Sequence, residues 1–394
     1  MKNLGVARLL LVLSLTACDS GADAALSGVV SDSAGVRIVE FVQPVDPPSR
    51  EFHVDEGWDL GERRDFGQLV DLEVLGEGRV AVLDALGAEV LLLDGGSGLI
   101  TVLGGPGEGP GEFSPNGLVS VTKTDSSIVV PDLQLQRVSE FGLDGVFLGA
   151  TSLMDDARPG APVFAVEWRA HPSGAPVYRQ MTLDGDLVFL RDGVESEVLL
   201  SVEIANREPN LLLSPMLVWD IDSEGRIVWG RSDRHEIRVK DPLESEPRWI
   251  ARWGRAEAEL TEEDEAHLTS LFLRSAEDQG MGALPEAQRQ QLLSSVRFPS
   301  NRPAITAVFA GPSETYWVQR ARPVRDLGME AMRVAGGAGL GGREWEVYGA
   351  EGDLLEVLTL PEGFLVRRVY ESCLYGILED ELGIQKPARV CLDG

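Results

Sequence analysis

Residues 69–103 read LVDLEVLGEGRVAVLDALGAEVLLLDGGSGLITVL. Four apolar or alternating runs stand in this stretch: Leu69–Leu75, Arg79–Asp84, Glu89–Asp94 and Leu99–Leu103. Turn residues part them, among them Gly76-Glu77-Gly78 and Gly95-Gly96. Short runs cut by Gly, Asp and Ser read as strands of an antiparallel meander. The arrangement returns at Leu118–Lys123, Ser127–Asp132, Arg137–Phe141 and Val146–Ala150, and more faintly over residues 163–203. It is clear again at Leu217–Ile221, Arg226–Gly230, Glu236–Lys240 and Arg248–Trp253, then at Ala304–Phe309, Thr315–Gln319, Arg343–Tyr348 and Leu354–Leu360. A shorter set spans Leu365–Leu392.

Second-run starts measure the period. Val80 and Ile128 are 48 residues apart, Ile227 follows 99 later, about two periods, and Tyr316 follows 89 after that. The surplus in the last interval is a segment without strand texture, about residues 259–298. There Thr261 precedes Glu262, Glu263 and Asp264, a helix start with favourable negative charge, and Leu268, Leu271 and Phe272 follow at helical spacing. Pro285 opens a second helical stretch ending near Val296. A four-strand unit recurring every ~40–50 residues marks a β-propeller blade. Six sets predict an all-β, six-bladed propeller over residues 49–394 with a small helical insertion. The last set has room for three strands, and a strand near Arg50–Leu60 is expected to supply the fourth and close the ring.

The chain has 394 residues, with 64 acidic against 35 basic side chains and a formal charge of −29. So acidic a body repels nucleic-acid phosphates and anionic headgroups, which excludes nucleic-acid binding as a function. Residues 1–17 carry Lys2 and Arg8, then an apolar run from Leu9 to Leu15, the order of a secretory signal peptide too short to span a bilayer. Leu15-Thr16-Ala17-Cys18 resembles the lipobox of bacterial lipoproteins. The resemblance implies lipidation of Cys18 and anchoring by several acyl chains. Residues 18–48, polar and small at first, are expected to form a lipidated N-terminus and flexible tether. The protein is thus expected in the bacterial cell envelope, periplasmic or at the cell surface, with lipid as its only membrane contact. Cys373 and Cys391 remain as a pair in an oxidising compartment. They are equidistant from Leu382 in the turn Asp380–Gly383, so a hairpin centred there sets them opposite each other and predicts a disulfide.

The segment Leu103-Gly104-Gly105-Pro106-Gly107-Glu108-Gly109-Pro110-Gly111-Glu112-Phe113 resembles the blade-to-blade linker of NHL-like six-bladed β-propellers. Trp345–Tyr348, Leu360–Phe364 and Asp380–Gly383, with Ala34–Glu40 near the start, are similar to exported propeller lipoproteins of bacteria. The resemblance implies the fold and leaves the function open, because propellers host binding, scaffolding and enzymatic roles alike.

Several constellations imitate functional motifs. Asp220-Ile221-Asp222-Ser223-Glu224-Gly225 has the alternating oxygens of a calcium loop, but Arg231 stands where its closing Glu belongs, and a hairpin turn explains the same letters. Gly337–Gly342 matches a dinucleotide-binding spacing yet leads into a strand. The Gly105–Phe113 segment lacks the Lys of a phosphate-binding loop. His53, His171, His235 and His267 share no short motif, and no nucleophile-elbow sequence is present. No catalytic residue, cofactor or metal site is therefore expected. The Trp residues, including Trp219, Trp229, Trp249 and Trp253, read as packing between blades or as a platform for carbohydrate or peptide. The expectation is a monomeric, membrane-tethered binding or scaffold propeller whose partner, a protein or small ligand, docks on one face. The alternative is an exported hydrolase or lyase with its site in the central channel. The helical insert either packs on the propeller edge or caps the channel or a partner.

Overall fold

A computed structural model describes residues 28–41, 49–55, 65–76, 78–95, 98, 100–115, 117–153, 165–182, 185–192, 195–204, 212–254, 259–278, 285–329, 331 and 338–392. Ahead of the repeats lie β1 (Val29–Ser33), β2 (Val36–Phe41) and β3 (Ser49–Glu51). Blade one is β4 (Leu69–Gly76), β5 (Arg79–Asp84), β6 (Glu89–Asp94) and β7 (Ile100–Leu103). Blade two is β8 (Thr122–Lys123), β9 (Ser127–Asp132), β10 (Arg137–Gly142) and β11 (Phe147–Ser152). Blade three, faint in the sequence, is β12 (Ala165–Ala170), β13 (Pro176–Met181), β14 (Gly185–Asp192) and β15 (Glu195–Glu203). Blade four is β16 (Leu217–Ile221), β17 (Ile227–Arg231), β18 (Glu236–Lys240) and β19 (Trp249–Trp253). After α1 (Glu262–Asp278) and α2 (Glu286–Ser295) comes blade five: β20 (Ile305–Ala310), β21 (Tyr316–Ala321), β22 (Gly341–Tyr348) and β23 (Leu354–Thr359). Blade six is β24 (Phe364–Tyr370), β25 (Cys373–Glu379) and β26 (Gln385–Cys391).

Within each blade the strands pair antiparallel in sequence order. The first strands, β4, β8, β12, β16, β20 and β24, neighbour one another in turn, and β24 returns to β4. This is the six-bladed β-propeller that the repeat predicts. Sheets buried on both faces need apolar residues on both, and each of the six gaps between blades holds its own apolar cluster. Trp345 and Phe309 of blade five meet Leu374 and Val390 of blade six, and Leu72 and Val82 of blade one meet Tyr375 and Ile377 of blade six.

The glycine-rich linker between blades one and two is a tight knot. Gly104 has φ +68, and a Cβ there would stand 2.1 Å from the Gly111 carbonyl oxygen, so only glycine fits. Phe113 is fully buried between the two blades. Glu112 accepts the Gly109 N–H at 2.7 Å, and Arg137 donates to the carbonyls of Glu108, Gly109 and Glu112.

Two expectations need correction. The tether was expected to run from residue 18 to 48, but Val29–Ser33 and Val36–Phe41 form a hairpin, and β2 pairs parallel with β19 on the outer edge of blade four. The reason is apolar: Val39 and Phe41 are fully buried in the cluster between blades four and five. Residues 1–27 and 42–48, which include the expected signal peptide and Cys18, lie outside the described residues. Of the closing strand expected near Arg50–Leu60, β3 pairs parallel with β23 on the outer edge of blade five and not with blade six. The Asp55 N–H reaches β26 by donating to the Arg389 carbonyl at 2.8 Å, and residues 56–60 lie outside the described residues. The N-terminal segment is thus a belt along the outer edges of blades four, five and six. Ion pairs fasten it: Arg37 with Asp353, Arg50 with Glu356, Glu51 with Arg343 and Asp55 with Arg389.

The insert folds as expected. The Thr261 hydroxyl accepts the Asp264 N–H and the Asp264 carboxylate accepts the Thr261 N–H, a reciprocal cap that starts α1.

Candidate functional site

Strands that alternate in direction send their connections alternately to the two ends of the ring. One end takes the first-to-second and third-to-fourth strand turns. The other takes the second-to-third turns and the links to the next blade. Between the described blade strands, every connection longer than eight residues falls at this second end: 104–121, 153–164, 204–216, 254–304 and 322–340. The longest at the opposite end is 241–248. Three of the long connections form one assembly. Leu268 and Leu271 of α1 are buried against Val324, Leu327 and Leu340, His267 Nε2 lies 3.0 Å from the Leu327 carbonyl oxygen, and the Leu212 N–H donates to the Arg297 carbonyl. Leu268 and Leu271 of the α1 stripe are therefore covered by Val324, Leu327 and Leu340 of the protein's own 322–340 connection.

Ion pairs crowd the central channel. From β24, Arg368 reaches β4, with Nε 2.8 Å from Glu73 Oε2 and Nη1 3.3 Å from Asp71 Oδ1, and it donates to the Val121 carbonyl of blade two at 2.9 Å. Asp71 also accepts the Val121 N–H, and Arg367 donates to the Val70 carbonyl. Across the channel, Arg169 of β12 pairs at 3.0 Å with Asp220 of β16, whose second oxygen accepts the Ala310 N–H of β20. All six inner strands or the residues beside them take part. Burial pushes the Glu73 and Asp220 carboxyls above the usual range against the pull of Arg368 and Arg169, respectively. Burial also works against the Arg368 charge, but Asp71 and Glu73 outweigh it and hold the guanidinium more firmly protonated than usual. These groups hold one another, and their common effect is to lock blades together.

A second polar node lies between blades four and five. The Glu346 carboxylate is fully buried, with one oxygen 2.8 Å from His235 Nε2 and 2.6 Å from the Tyr348 hydroxyl that donates to it. Its other oxygen accepts from Arg320 Nε at 2.8 Å. Burial alone would raise this carboxyl; His235, Arg320 and Tyr348 overcome it and hold the group down to about 2. Trp253 covers the node, stacked on His235 and donating to Tyr348.

At the loop-bearing end a cleft of about 230 Å³ opens between blades three and four, with Trp229, Arg231, Arg234, Glu236 and Arg238 on one wall and Ser201 and Glu203 on the other. Asp233 grips Arg231 through Nε (3.0 Å) and Nη2 (2.7 Å), while Glu236 holds Arg238 over the Trp229 ring, with the guanidinium carbon 4.9 Å from the ring centroid.

The residues singled out in the sequence fall as follows. Cys373 and Cys391 sit directly opposite across β25 and β26 and are joined in a disulfide. Asp220–Gly225 is the β16–β17 hairpin turn: Asp222 accepts the N–H groups of Glu224 and Arg226 and pairs with the Arg226 side chain. Of the Gly337–Gly342 motif, the described part leads directly into β22. The histidines do not converge: His171 bonds Ser173, His235 meets Glu346, and His267 meets the Leu327 carbonyl. No group of three or more metal-ligating side chains occurs among the described residues. Trp219 and Trp249 are buried between blades, and Trp229 carries Arg238, so none of these three offers an open stacking platform. The sequence reading missed both polar nodes. Their signal was there, in Asp71 and Glu73 at alternate positions of an apolar strand, in Arg367-Arg368 within FLVRRVY, and in Glu346 within WEVY.

No family model matches the chain, and no curated protein matches it. Among solved structures it is similar to a member of the DUF4221 family from Bacteroides vulgatus, at 13% identity over 86% of this chain and 94% of that one, with a TM-score of 0.52. Regucalcin, a calcium-binding protein from Agrobacterium tumefaciens, is similar at 12% identity over 88% and 95% of the two chains, with a TM-score of 0.45. At 13% identity the likeness to the DUF4221 member is one of fold alone.

Proposed function

We propose that this protein is a propeller of the bacterial cell envelope, tethered by lipid at Cys18, that binds a partner protein or ligand at its loop-bearing end. The observation that carries this reading is the one-sided distribution of connections, with the five long ones between described blade strands all at one end of the ring. Long loops on a rigid scaffold are where binding concentrates. Three exposed apolar side chains, Leu86, Leu382 and Ile384, stand in second-to-third strand turns of the same end. The paired charges of the channel support a closing role there, which leaves the loop-bearing end as the surface for recognition. No helix among the described residues is long and apolar enough to cross a membrane, and acyl chains on one cysteine would supply the anchor.

Two measurements test the two halves. Cys18→Ala should release the protein from the membrane fraction; retention equal to wild type overturns the tether. A photo-crosslinking residue at Ser270, exposed on α1, should capture a partner in native envelopes, whereas one at Leu243, exposed at the opposite end, should not. Equal capture from both positions, or capture from Leu243 alone, overturns the assignment of the face.

A further inference from the structure

We propose that the cleft between blades three and four binds an acidic sugar, a hexuronate, with the carboxylate held by Arg231, Arg234 and Arg238. The inference deepens the binding reading above, since the cleft opens at the loop-bearing end, but it does not depend on the tether. Acidic side chains outnumber basic ones 64 to 35 in this chain, yet at this cleft three guanidiniums stand against three carboxylates, Glu203, Glu236 and the Asp233 that grips Arg231. That local balance, on so acidic a chain, makes the cleft a place where an anionic group can meet oriented guanidiniums.

Two of the guanidiniums are oriented in advance. Arg231 is fixed by both oxygens of Asp233, and Arg238 by Glu236 and the Trp229 ring. Each grip uses Nε and Nη2 and leaves Nη1 without a partner among the described residues. A guanidinium held in place loses little entropy on meeting a carboxylate, and its planar fork matches that group. Trp229 is thus an orienting surface for Arg238 and not itself a sugar platform.

The carboxylates of the lining narrow the ligand further. Glu203 and Glu236 would repel a phosphate, which is doubly charged and offers mostly acceptors. A hexuronate carries a single carboxylate for the arginines and adjacent hydroxyls that donate to Glu203 and Glu236 and accept from Ser201. Its size also fits, because about 230 Å³ is below the ~300 Å³ at which drug-sized pockets begin and suits one ring.

The test is calorimetric titration of the purified full chain with D-glucuronate, D-galacturonate, D-glucose, acetate and inorganic phosphate. At least one uronate should bind ten-fold or more tightly than glucose, acetate and phosphate. Arg238→Lys should weaken it ten-fold or more by removing the fork, and the exposed Arg234→Gln should weaken it several-fold. Circular dichroism melting checks that each variant is folded. Absence of uronate binding, binding of glucose or phosphate as strong as that of uronate, or unchanged affinity in a folded Arg234→Gln overturns the proposal. The partner-capture experiment at Ser270 is read separately, so failure of the ligand assignment and failure of the face assignment are distinguishable.

Discussion

Replacing Glu346 with glutamine removes the one charge at the node between blades four and five that His235, Arg320 and Tyr348 share. The size of the effect follows from the carboxyl itself. Held down to about 2 in the folded chain against an ordinary 4.5, its ionised form contributes about 3 kcal/mol to stability at neutral pH. Because the folded value lies below the unfolded one, that contribution is complete above about pH 4.5 and is lost as the pH falls through about 2. Glutamine keeps the shape, so no cavity forms. Arg320 keeps Glu344 at 2.9 Å, an exposed partner that compensates little. Glu346→Gln should therefore lose about 3 kcal/mol at pH 7, and the gap to wild type should close progressively below about pH 4. Urea unfolding followed by tryptophan fluorescence, in steps from pH 7 to pH 3, measures both. A loss under about 0.5 kcal/mol at pH 7, within the range of ordinary surface substitutions, refutes the reasoning. So does a gap that stays constant down to pH 3.

Replacing Cys373 and Cys391 together by serine opens a loop with a sequence separation of 18 and should cost about 3 kcal/mol, read from the denaturation midpoint of each form. Arg368→Met leaves Asp71 and Glu73 in the channel without their cation and should cost about 3–5 kcal/mol in urea unfolding, whereas a change below 1 kcal/mol would show that the channel pairs are idle. Phe41→Ala should also cost about 3–5 kcal/mol, since the ring is 1% exposed between blades four and five. A free tether residue would show no loss in the same measurement.

The blades were legible because a repeat states its rule many times. Val80, Ile128 and Tyr316 each open or nearly open a second strand, and one faint set could be placed by its neighbours. The disulfide was legible for a similar reason: a hairpin has a centre, and Cys373 and Cys391 flank it equally. The belt was not legible. Val36–Phe41 alternates like any strand, but its partner β19 lies more than two hundred residues away, and parallel pairing across such a distance leaves no local trace. The charge nodes were legible as charges set in apolar strands but not as pairs. Asp71, Arg169, Asp220 and Arg368 come from four blades, and nothing local says which charge meets which until the ring brings them together. The cleft arginines suffer the same ambiguity, because Arg231 and Arg238 look like exposed strand residues and only the wall from blade three makes them a site.

One seam explains why several of these features exist. Blade six has three strands among the described residues, and β3 joins blade five. Among the described residues the backbone tie from the segment ahead of blade one is therefore the bond of the Asp55 N–H to the Arg389 carbonyl, and no strand ladder joins the last blade to the first. Among the described residues the junction between them is fastened mainly by side chains. Arg368 pairs with Asp71 and Glu73, Arg367 donates to the Val70 carbonyl, and Gln385 accepts the Leu69 N–H at 2.7 Å. Tyr375 and Ile377 fill the apolar space beneath, the disulfide fixes β25 to β26, and Asp55 of the belt holds Arg389 from outside. A ring joined this way depends on charges that are buried and cannot be replaced by water. Its closure should therefore fail before its individual blades do. Hydrogen exchange at β24 and β4 is expected to reach solvent under milder denaturant than exchange at β9 and β10, whose blade lies away from the seam. Earlier exchange in β9 and β10 would place the weak point elsewhere and leave the seam's many fasteners without this explanation.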